Sequence, residues 1–214
     1  MRGVRRPQKL ADYWSLKLVG ITVLAGALQV LISGFTEMLL LDQSRAWYMP
    51  WMFVSAIFLH SGIGHLFLNM LGLGLFGSIL EKIIGSRRFL LVYFTAGIAA
   101  NLVAVNFYPL SLGASGAVFG ILGTLALLRP HMTIWLSYIP MPMWIAIFVW
   151  AAIDIIGVFF PDGVGNIAHL VGLFSGILFG LYWRRRFARR RRRIGNVEVI
   201  PDRRFRDWEN SFMR

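Results

Sequence analysis

The chain has 214 residues, of which 57% are hydrophobic and only 15% are charged, and its mean hydropathy is +0.64. A soluble domain is normally about 45–50% apolar, so this composition excludes an ordinary soluble protein and predicts a membrane protein. The net charge is +12, and the chain has no cysteine, which excludes disulfides and thiolate metal sites.

Six predominantly apolar runs come near the length of about 20 residues that a helix needs to cross a bilayer. They predict an all-α, polytopic membrane protein with a bundle of six transmembrane helices, several of them short. We expect a short N-terminal lead at 1–17, a membrane-embedded core at 18–183 and a basic tail at 184–214. The first run is predicted to be a retained span and not a removable signal peptide. The predicted spans are 18–35, 64–80, 89–105, 115–128, 144–160 and 166–183.

The positive charge is concentrated beside the predicted spans. Eight arginines lie in the ten residues 184–193, directly after the last span, and further basic residues precede the first span and separate spans two and three. Basic residues mark the cytoplasmic ends of spans, so both termini are predicted to be cytoplasmic in a multi-pass protein of the cell membrane. We interpret the arginine run as a topological anchor that attracts anionic lipid, and we expect no binding of nucleic acid.

The connection between spans one and two, residues 36–63, is unusually rich in Leu, Trp, Tyr and Met. Trp and Tyr favour the membrane–water interface, so this segment either lies in the outer interface or packs as a hydrophobic loop on the bundle. The sequence leaves both interpretations open.

With six spans and a cytoplasmic N-terminus, spans two, four and six all begin at the outer surface. His65 and Asn69 lie in the first turns of span two, Ser115 opens span four, and His169 lies one turn into span six. At 1.5 Å per residue, these side chains share a layer about 5–10 Å below the outer interface. Polar side chains at membrane depth are costly and usually functional, so the shared layer predicts an assembled site.

The chemistry of these four residues is that of a serine hydrolase. His169 can take the proton of the Ser115 hydroxyl, and we find no carboxylate that belongs in this layer, so we expect a Ser-His dyad. His65 and Asn69, spaced i, i+4, share one helical face. Together with the Ser115 backbone N–H, they are predicted to stabilise a tetrahedral oxyanion.

Neighbouring residues are predicted to support the site. Gly113 and Gly116 let the backbone and a substrate approach the serine. Phe119, one helical turn after Ser115, is placed to pack its ring against His169.

Other polar and small residues have structural explanations. Asp154 in span five and Glu81 at the inner end of span two are expected to make structural hydrogen bonds and caps, and His60 and Asn101 to hold loops and helices together. A GxSG sequence alone is weak evidence for catalysis, because small residues commonly pack membrane helices. The glycines at 116, 120, 172, 176 and 180 predict faces that bring spans four and six together.

Across about 51–181 the chain resembles the rhomboid family of intramembrane serine proteases. The resemblance rests on three motifs in order: HxxxN at 65–69, GASG at 113–116 and AHxxG at 168–172. It implies the compact six-helix core, Ser115 as nucleophile, His169 as base, and His65 with Asn69 at the oxyanion. It also implies Glu81 as a structural residue and Asn166 near the mouth of the site.

This chain departs from many relatives at two positions. Met52 stands where an arginine is common, which puts the usual bonding of the first loop in doubt, and Phe119 stands where a tyrosine is common. Neither departure touches the proposed dyad.

The resemblance and the residues together predict an endopeptidase that cleaves other membrane proteins within or beside their transmembrane segments. The resemblance also implies that substrates enter from the lipid between spans two and five. No metal or cofactor is expected, because the histidines lack a ligand spacing such as HExxH. The alternative is a non-proteolytic protein of the same fold that binds or escorts membrane proteins; a small transporter is disfavoured because matching halves with broken helices are not evident.

Overall fold

The computed structural model describes residues 12–136, 138–160 and 163–194. Most of the predicted N-terminal lead and of the C-terminal tail, at 1–11 and 195–214, lies outside the described residues. The basic residues at 2, 5, 6 and 9 are among the residues that are not described.

Helices dominate the described chain. α4, a π-helical turn and α5 follow one another without a break and form one long helix over Ile63–Ile84. The helices are α1 (Trp14–Leu31), α2 (Phe35–Leu39), α3 (Met52–Ser55), a 3₁₀ turn (Ala56–Phe58), α4 (Ile63–Gly72), the π turn (Leu73–Gly77), α5 (Ser78–Ile84), α6 (Ser86–Ala104), α7 (Ser115–Leu128), α8 (Met143–Phe159) and α9 (Asn166–Ile194).

Four of these helical stretches are long and apolar enough to cross a bilayer. They are α1, the long helix containing α4 and α5, α6 and the first part of α9, whereas α7 and α8 are shorter apolar helices of 14 and 17 residues. The predicted all-α polytopic fold is confirmed. The count of six crossings stays a prediction.

α7 lies at the centre of the bundle, with ten of its 14 residues buried. Its glycine face meets that of α9: a methyl group on Gly172 would lie 2.0 Å from the Gly116 carbonyl oxygen, and one on Gly176 would lie 2.0 Å from that of Gly120. The Thr124 hydroxyl joins the two helices by donating to the carbonyls of Gly120 and Gly176, at 2.9 and 3.0 Å. The predicted packing of spans four and six is confirmed.

Glu81 ties the start of α1 to α5 and α6. Its carboxylate accepts the backbone N–H groups of Trp14 and Ser15, each at 2.9 Å, and the Ser86 hydroxyl at 2.6 Å. The first N–H groups of a helix lack partners within the helix, so Glu81 satisfies two of them for α1. These contacts are structural, as the sequence predicts.

The connection between α1 and α4 has one packed side and one exposed side. Met52 and Phe53 are buried in a small core of their own, whereas Trp47 and Tyr48 are 62% and 84% exposed. Strand β1 (Leu41–Asp42) pairs with β2 (Leu110–Ser111) and so joins the segment to the connection before α7. Both interpretations left open by the sequence therefore have support: the segment packs on the bundle and presents aromatic rings outward.

Arg45 holds this connection together. Its guanidinium pairs with the Asp42 carboxylate at 2.8 Å and donates to the Glu37 carbonyl at 2.8 Å. Hydrogen bonds from Ser44, and then the Arg45 guanidinium, lower the pKa of Asp42 below its usual value. The arginine bonding of this segment thus comes from Arg45, while Met52 is a buried apolar side chain.

A second hairpin, β3 (Thr133–Leu136) and β4 (Ile139–Pro142), links α7 to α8. No secondary structure is predicted for this connection from the sequence. Trp135 and Tyr138 are largely exposed on the hairpin, and Thr133 pairs with Pro142 at its open end.

Candidate active site

The four polar residues predicted to share one layer line a single cavity. This cavity has a volume of about 1460 Å³ and is bounded by α4, α7, α8 and α9. His65, Asn69, Ser115 and His169 all contribute to its wall. The structure thus brings together residues that are up to about a hundred positions apart in the chain, while their catalytic roles stay predictions.

Ser115 is the first residue of α7, and a glycine with a positive φ lies two residues before it. Gly113 has φ +136°, a conformation that L side chains rarely adopt. A methyl group there would lie 2.9 Å from His65 Cε1 and 3.7 Å from Ser115 Oγ. Gly113 is therefore required both for its backbone conformation and for the close approach of His65 to the serine.

The backbone N–H of Ser115 is free of an intrahelical partner, because the first N–H groups of a helix have no carbonyl one turn before them. The positive end of the α7 dipole lies at the same place. The loop before it is fixed by two hydrogen bonds: Gly113 N–H donates to the Ala56 carbonyl at 2.9 Å, and Ala114 N–H donates to His60 Nε2 at 3.4 Å.

Ser61 determines which nitrogen of His65 carries the proton. The Ser61 backbone N–H donates to His65 Nδ1 at 3.4 Å, and the Ser61 hydroxyl lies 3.1 Å from the same atom. Since Nδ1 accepts, a neutral His65 carries its hydrogen on Nε2, the nitrogen that lies beside Gly113. His65 therefore presents a donor to the cavity, and Ser61 is a residue that the sequence analysis missed.

Asn69 is buried one turn further along α4. Its amide nitrogen donates one hydrogen to the His65 carbonyl at 2.9 Å. A carboxamide NH₂ has two hydrogens, so a second donor remains at the cavity wall.

His60 is a structural residue behind the site. Gln29 on α1 clamps its backbone, accepting the His60 N–H at 2.9 Å and donating to its carbonyl at 3.2 Å. Burial, and then the nearby His65, lowers the pKa of His60 to about 4. A neutral His60 can accept the Ala114 N–H, which agrees with the predicted structural role; Gln29 was not predicted.

The His169 ring is held between α7 and α8. It stacks on Phe119, with ring centroids 4.4 Å apart and planes inclined by 9°. Trp150 packs edge-on against Phe119 in turn, with ring centroids 6.4 Å apart. The predicted contact between Phe119 and His169 is confirmed, without the hydroxyl that a tyrosine would carry. Within the described part of the chain, no hydrogen bond joins Ser115 Oγ to His169.

Asp154 corrects the sequence analysis. Its Oδ1 lies 2.9 Å from His169 Nδ1. The Asp154 side chain is buried, and 12% of the His169 side chain is exposed. The expectation that no carboxylate shares the layer is wrong. Span five is predicted to run outward, and Asp154 lies five residues before the end of α8, which places it near the outer end of this span. The predicted direction of span five could therefore have placed Asp154 in the layer of the site.

Gly116 and Asn166, two residues predicted to support the site, differ in their relation to the cavity. Gly116 lines the cavity and packs against α6 and α9: a methyl group there would lie 2.5 Å from Ala100 Cβ. Asn166 is buried against Gly157 of α8, and it is not among the residues of the cavity wall. Asn166 thus connects α8 to the start of α9 beside the site.

Among the residues that the structure describes, no group of three His, Cys, Asp or Glu side chains is placed to hold a metal ion. Asn101 has the structural role predicted for it, because it donates to the Phe53 carbonyl at 2.9 Å and so joins α6 to α3.

The chain is similar to known proteins over its central part. The Rhomboid domain matches residues 48–186. The chain is 34% identical to Rhomboid protein 1, mitochondrial, of Saccharomyces cerevisiae over 151 residues, which cover 65% of the chain and 44% of the yeast protein. It is 47% identical to Rhomboid protease GluP of Bacillus subtilis over 76 residues, which cover 35% of the chain and 15% of that protein.

A plant relative extends the comparison. The chain is 37% identical to RHOMBOID-like protein 1 of Arabidopsis thaliana over 134 residues, 61% of the chain and 33% of the plant protein. It therefore spans less than half the length of each of these three relatives. The domain match nevertheless covers more than half of this chain, and the chain belongs to the rhomboid family.

Proposed function

We propose that the protein is an intramembrane serine endopeptidase that cleaves other membrane proteins within or beside their transmembrane segments. The observation that carries the proposal is the common cavity in which Ser115, His169, His65 and Asn69 meet. Similarity to proteins named rhomboid protease supports it. No cofactor is needed for this chemistry.

Ser115 is the proposed nucleophile and His169 the base. His169 Nε2 takes the hydroxyl proton as Ser115 Oγ attacks the substrate carbonyl carbon and the carbonyl π electrons move to oxygen. When the tetrahedral intermediate collapses, the peptide C–N bond breaks and the proton passes to the leaving nitrogen. Water then attacks the acyl-enzyme in the same way and releases the second product with the serine restored.

His65, Asn69 and the Ser115 backbone N–H are proposed to bind the oxyanion. Three features support this proposal: the second hydrogen of the Asn69 amide, the Nε2–H of His65 and the positive end of the α7 dipole. Donors held in place before the reaction stabilise developing charge without further reorganisation.

The cavity also supports a route for the substrate. Leu68 and Leu71 of α4 and Trp150 and Val158 of α8 form part of its wall, so the apolar sides of two helices border the site. We propose that single-pass or polytopic substrates enter between these helices, spans two and five of the bundle, and that water reaches the site from the outer side. Helix-weakening residues and a small residue before the cut are expected in the substrate.

We further propose a cell-membrane location with both termini in the cytoplasm. Five arginines, at 189–193, directly follow the part of α9 that is apolar enough to cross a bilayer, Asn166–Ala188, and three more, at 184–186, lie near the end of that part. Basic clusters of this kind stay on the cytoplasmic side. The cavity then opens toward the extracytoplasmic side.

The proposal is tested with purified protein in liposomes and a generic transmembrane substrate, alongside labelling by a serine-directed fluorophosphonate. Ser115→Ala and His169→Ala should each lower cleavage to background, and the double variant should be no worse, because members of a catalytic unit act non-additively. Ser175→Ala is the matched control, since it removes a hydroxyl that donates to Val171 on α9, outside the cavity wall.

Undiminished cleavage by Ser115→Ala would refute the assignment of the nucleophile. A parent protein that neither cleaves nor is labelled, but still binds the substrate, would favour the non-proteolytic binding alternative.

A further inference from the structure

We infer that Asp154 is a positioning residue for His169, so that α7, α9 and α8 together supply a Ser115–His169–Asp154 arrangement in place of a dyad. This inference rests on the proposed function. Its starting point is the 2.9 Å contact between Asp154 Oδ1 and His169 Nδ1.

The contact fixes the tautomer of the histidine. An ionised carboxylate can only accept hydrogen bonds, so the hydrogen between the two groups belongs to His169 Nδ1. A neutral imidazole carries one hydrogen, which leaves Nε2 with a lone pair. Nε2 is the atom that the proposed mechanism requires as the acceptor of the Ser115 proton.

The contact also fixes the orientation of the ring. Stacking on Phe119 sets the plane of the imidazole, but a ring can still rotate within that plane. The hydrogen bond from Nδ1 removes this freedom. Trp150 and Asp154 are spaced i, i+4 and so lie on one face of α8, where the first supports Phe119 and the second supports His169.

A purely structural role explains the carboxylate poorly. The second oxygen, Oδ2, is buried and has no hydrogen-bond partner among the described residues. Leaving a buried charged group half-satisfied is unfavourable, and a packing contact would be served better by a neutral side chain. The charge becomes favourable when His169 accepts the serine proton, because an imidazolium then faces the carboxylate at hydrogen-bonding distance.

Few other polar groups face His169. His65 approaches from α4, the Ser115 hydroxyl from α7, and the Tyr108 hydroxyl accepts the N–H of Ile167 at the start of α9. In the described part of the chain, Asp154 is the carboxylate that contacts the ring. The acid limb of the pH–rate profile should therefore respond to its removal.

The test is Asp154→Asn, which keeps the size of the side chain and removes the charge. We expect kcat to fall by about 10²- to 10⁴-fold with a small change in KM, as when the carboxylate partner of a catalytic histidine is lost. The imidazolium of the base is then less stabilised, so the acid limb of the kcat/KM profile should move to lower pH.

Thr124→Val is the matched control for a structural effect. It removes the two buried hydrogen bonds from the Thr124 hydroxyl to Gly120 and Gly176 while keeping the side-chain volume. We expect it to lower the thermal midpoint and leave the acid limb in place. If Asp154→Asn changes activity only in proportion to its folded fraction, with the acid limb unmoved, the inference is overturned and Asp154 is structural.

A measurement on the parent protein serves if Asp154→Asn does not fold. The chain has four histidines, at 60, 65, 131 and 169, so ¹⁵N-imidazole NMR spectra can be assigned by single substitutions. His169 should carry its hydrogen on Nδ1 when neutral; a neutral Nε2–H form would overturn the inference.

The two failures are distinguishable. An active parent with an equally active Asp154→Asn variant overturns the positioning role and leaves the proposed protease function standing. A parent that neither cleaves substrate nor reacts with a fluorophosphonate overturns the proposed function, and the inference falls with it.

Discussion

Gly172 is the position at which adding a single methyl group should lower stability and cleavage rate together. It follows His169 by three residues and packs directly on Gly116, the residue after Ser115. In Gly172→Ala, the new Cβ would lie 2.0 Å from the Gly116 carbonyl oxygen and 2.8 Å from its carbonyl carbon. Both atoms belong to the backbone, so no side-chain rotation relieves the overlap.

The size of the effect follows from the distances. A carbon–oxygen contact needs about 3.3 Å, so α7 and α9 must separate locally by about 1.3 Å. Overpacking of this kind costs about 1–3 kcal/mol, and the rigid backbone places Gly172→Ala at the upper end of that range. A displacement of about 1 Å between a nucleophile and its base can lower the rate by about 10²-fold, which is the loss we expect.

Two further variants separate stability from catalysis. Gly176→Ala produces the same 2.0 Å overlap with the Gly120 carbonyl oxygen, but one turn further from the proposed site. It should lose similar stability and less activity per folded molecule. Gly20→Ala on α1 meets no heavy atom within 4 Å and should leave both quantities close to the parent.

The assay pairs unfolding in a denaturing detergent, followed by far-UV circular dichroism, with initial cleavage rates. A Gly172→Ala protein as stable and as active as Gly20→Ala would refute the reasoning, because the backbone contact between α7 and α9 would then not exist at the distance given.

Three other predictions concern the oxyanion, the topology and pH. Asn69→Ala should lower turnover by about 10- to 1,000-fold with little change in folding, measured by kcat and thermal midpoint; equal losses of both would favour a packing role. Single cysteines replacing Ser44, Pro161 and Ser211, of which the last two lie outside the described residues, should react with an impermeant maleimide on intact cells at the first two positions only. Labelling at Ser211 alone would invert the topology. The pKa of His60 is about 4 in the folded protein and about 6.5 in the unfolded chain. The unfolded chain therefore binds more protons between these values, and the free energy of unfolding should fall as pH drops from 6.5 to 4. His60→Gln should show a smaller fall in chemical denaturation; an identical pH dependence would contradict this assignment.

The membrane fold and the meeting of the polar residues could be predicted because they depend on local patterns. The apolar runs predict the helices, and the glycines at 116, 120, 172, 176 and 180 predict the close packing of α7 against α9. Ends were less predictable: α9 continues to Ile194 because arginine favours the helix once the chain has left the apolar region. The hairpin at Thr133–Pro142 lacks a strong turn pattern and was missed.

The contact between Asp154 and His169 escaped prediction for a different reason. Polar residues were expected in the shared layer only on helices that begin at the outer surface, whereas Asp154 lies near the end of a helix predicted to run outward. Counting depth from the outer end of every predicted span, whether the span begins or ends there, would have placed Asp154 in the layer. The role of Ser61 depends on side-chain hydrogen bonding within a loop, which residue spacing does not encode.

The length of α7 has a consequence for how the protein meets membranes of different thickness. Fourteen residues extend about 21 Å, less than the roughly 30 Å of a typical hydrocarbon core. Because this helix is enclosed by protein and not by acyl chains, its shortness causes no mismatch with the lipid. The level of Ser115 is then fixed by the surrounding helices, while the level of a substrate helix follows the bilayer. A thicker bilayer would bring a different stretch of the same substrate to that fixed level, so lipid composition itself becomes a determinant of where the proposed protease cuts.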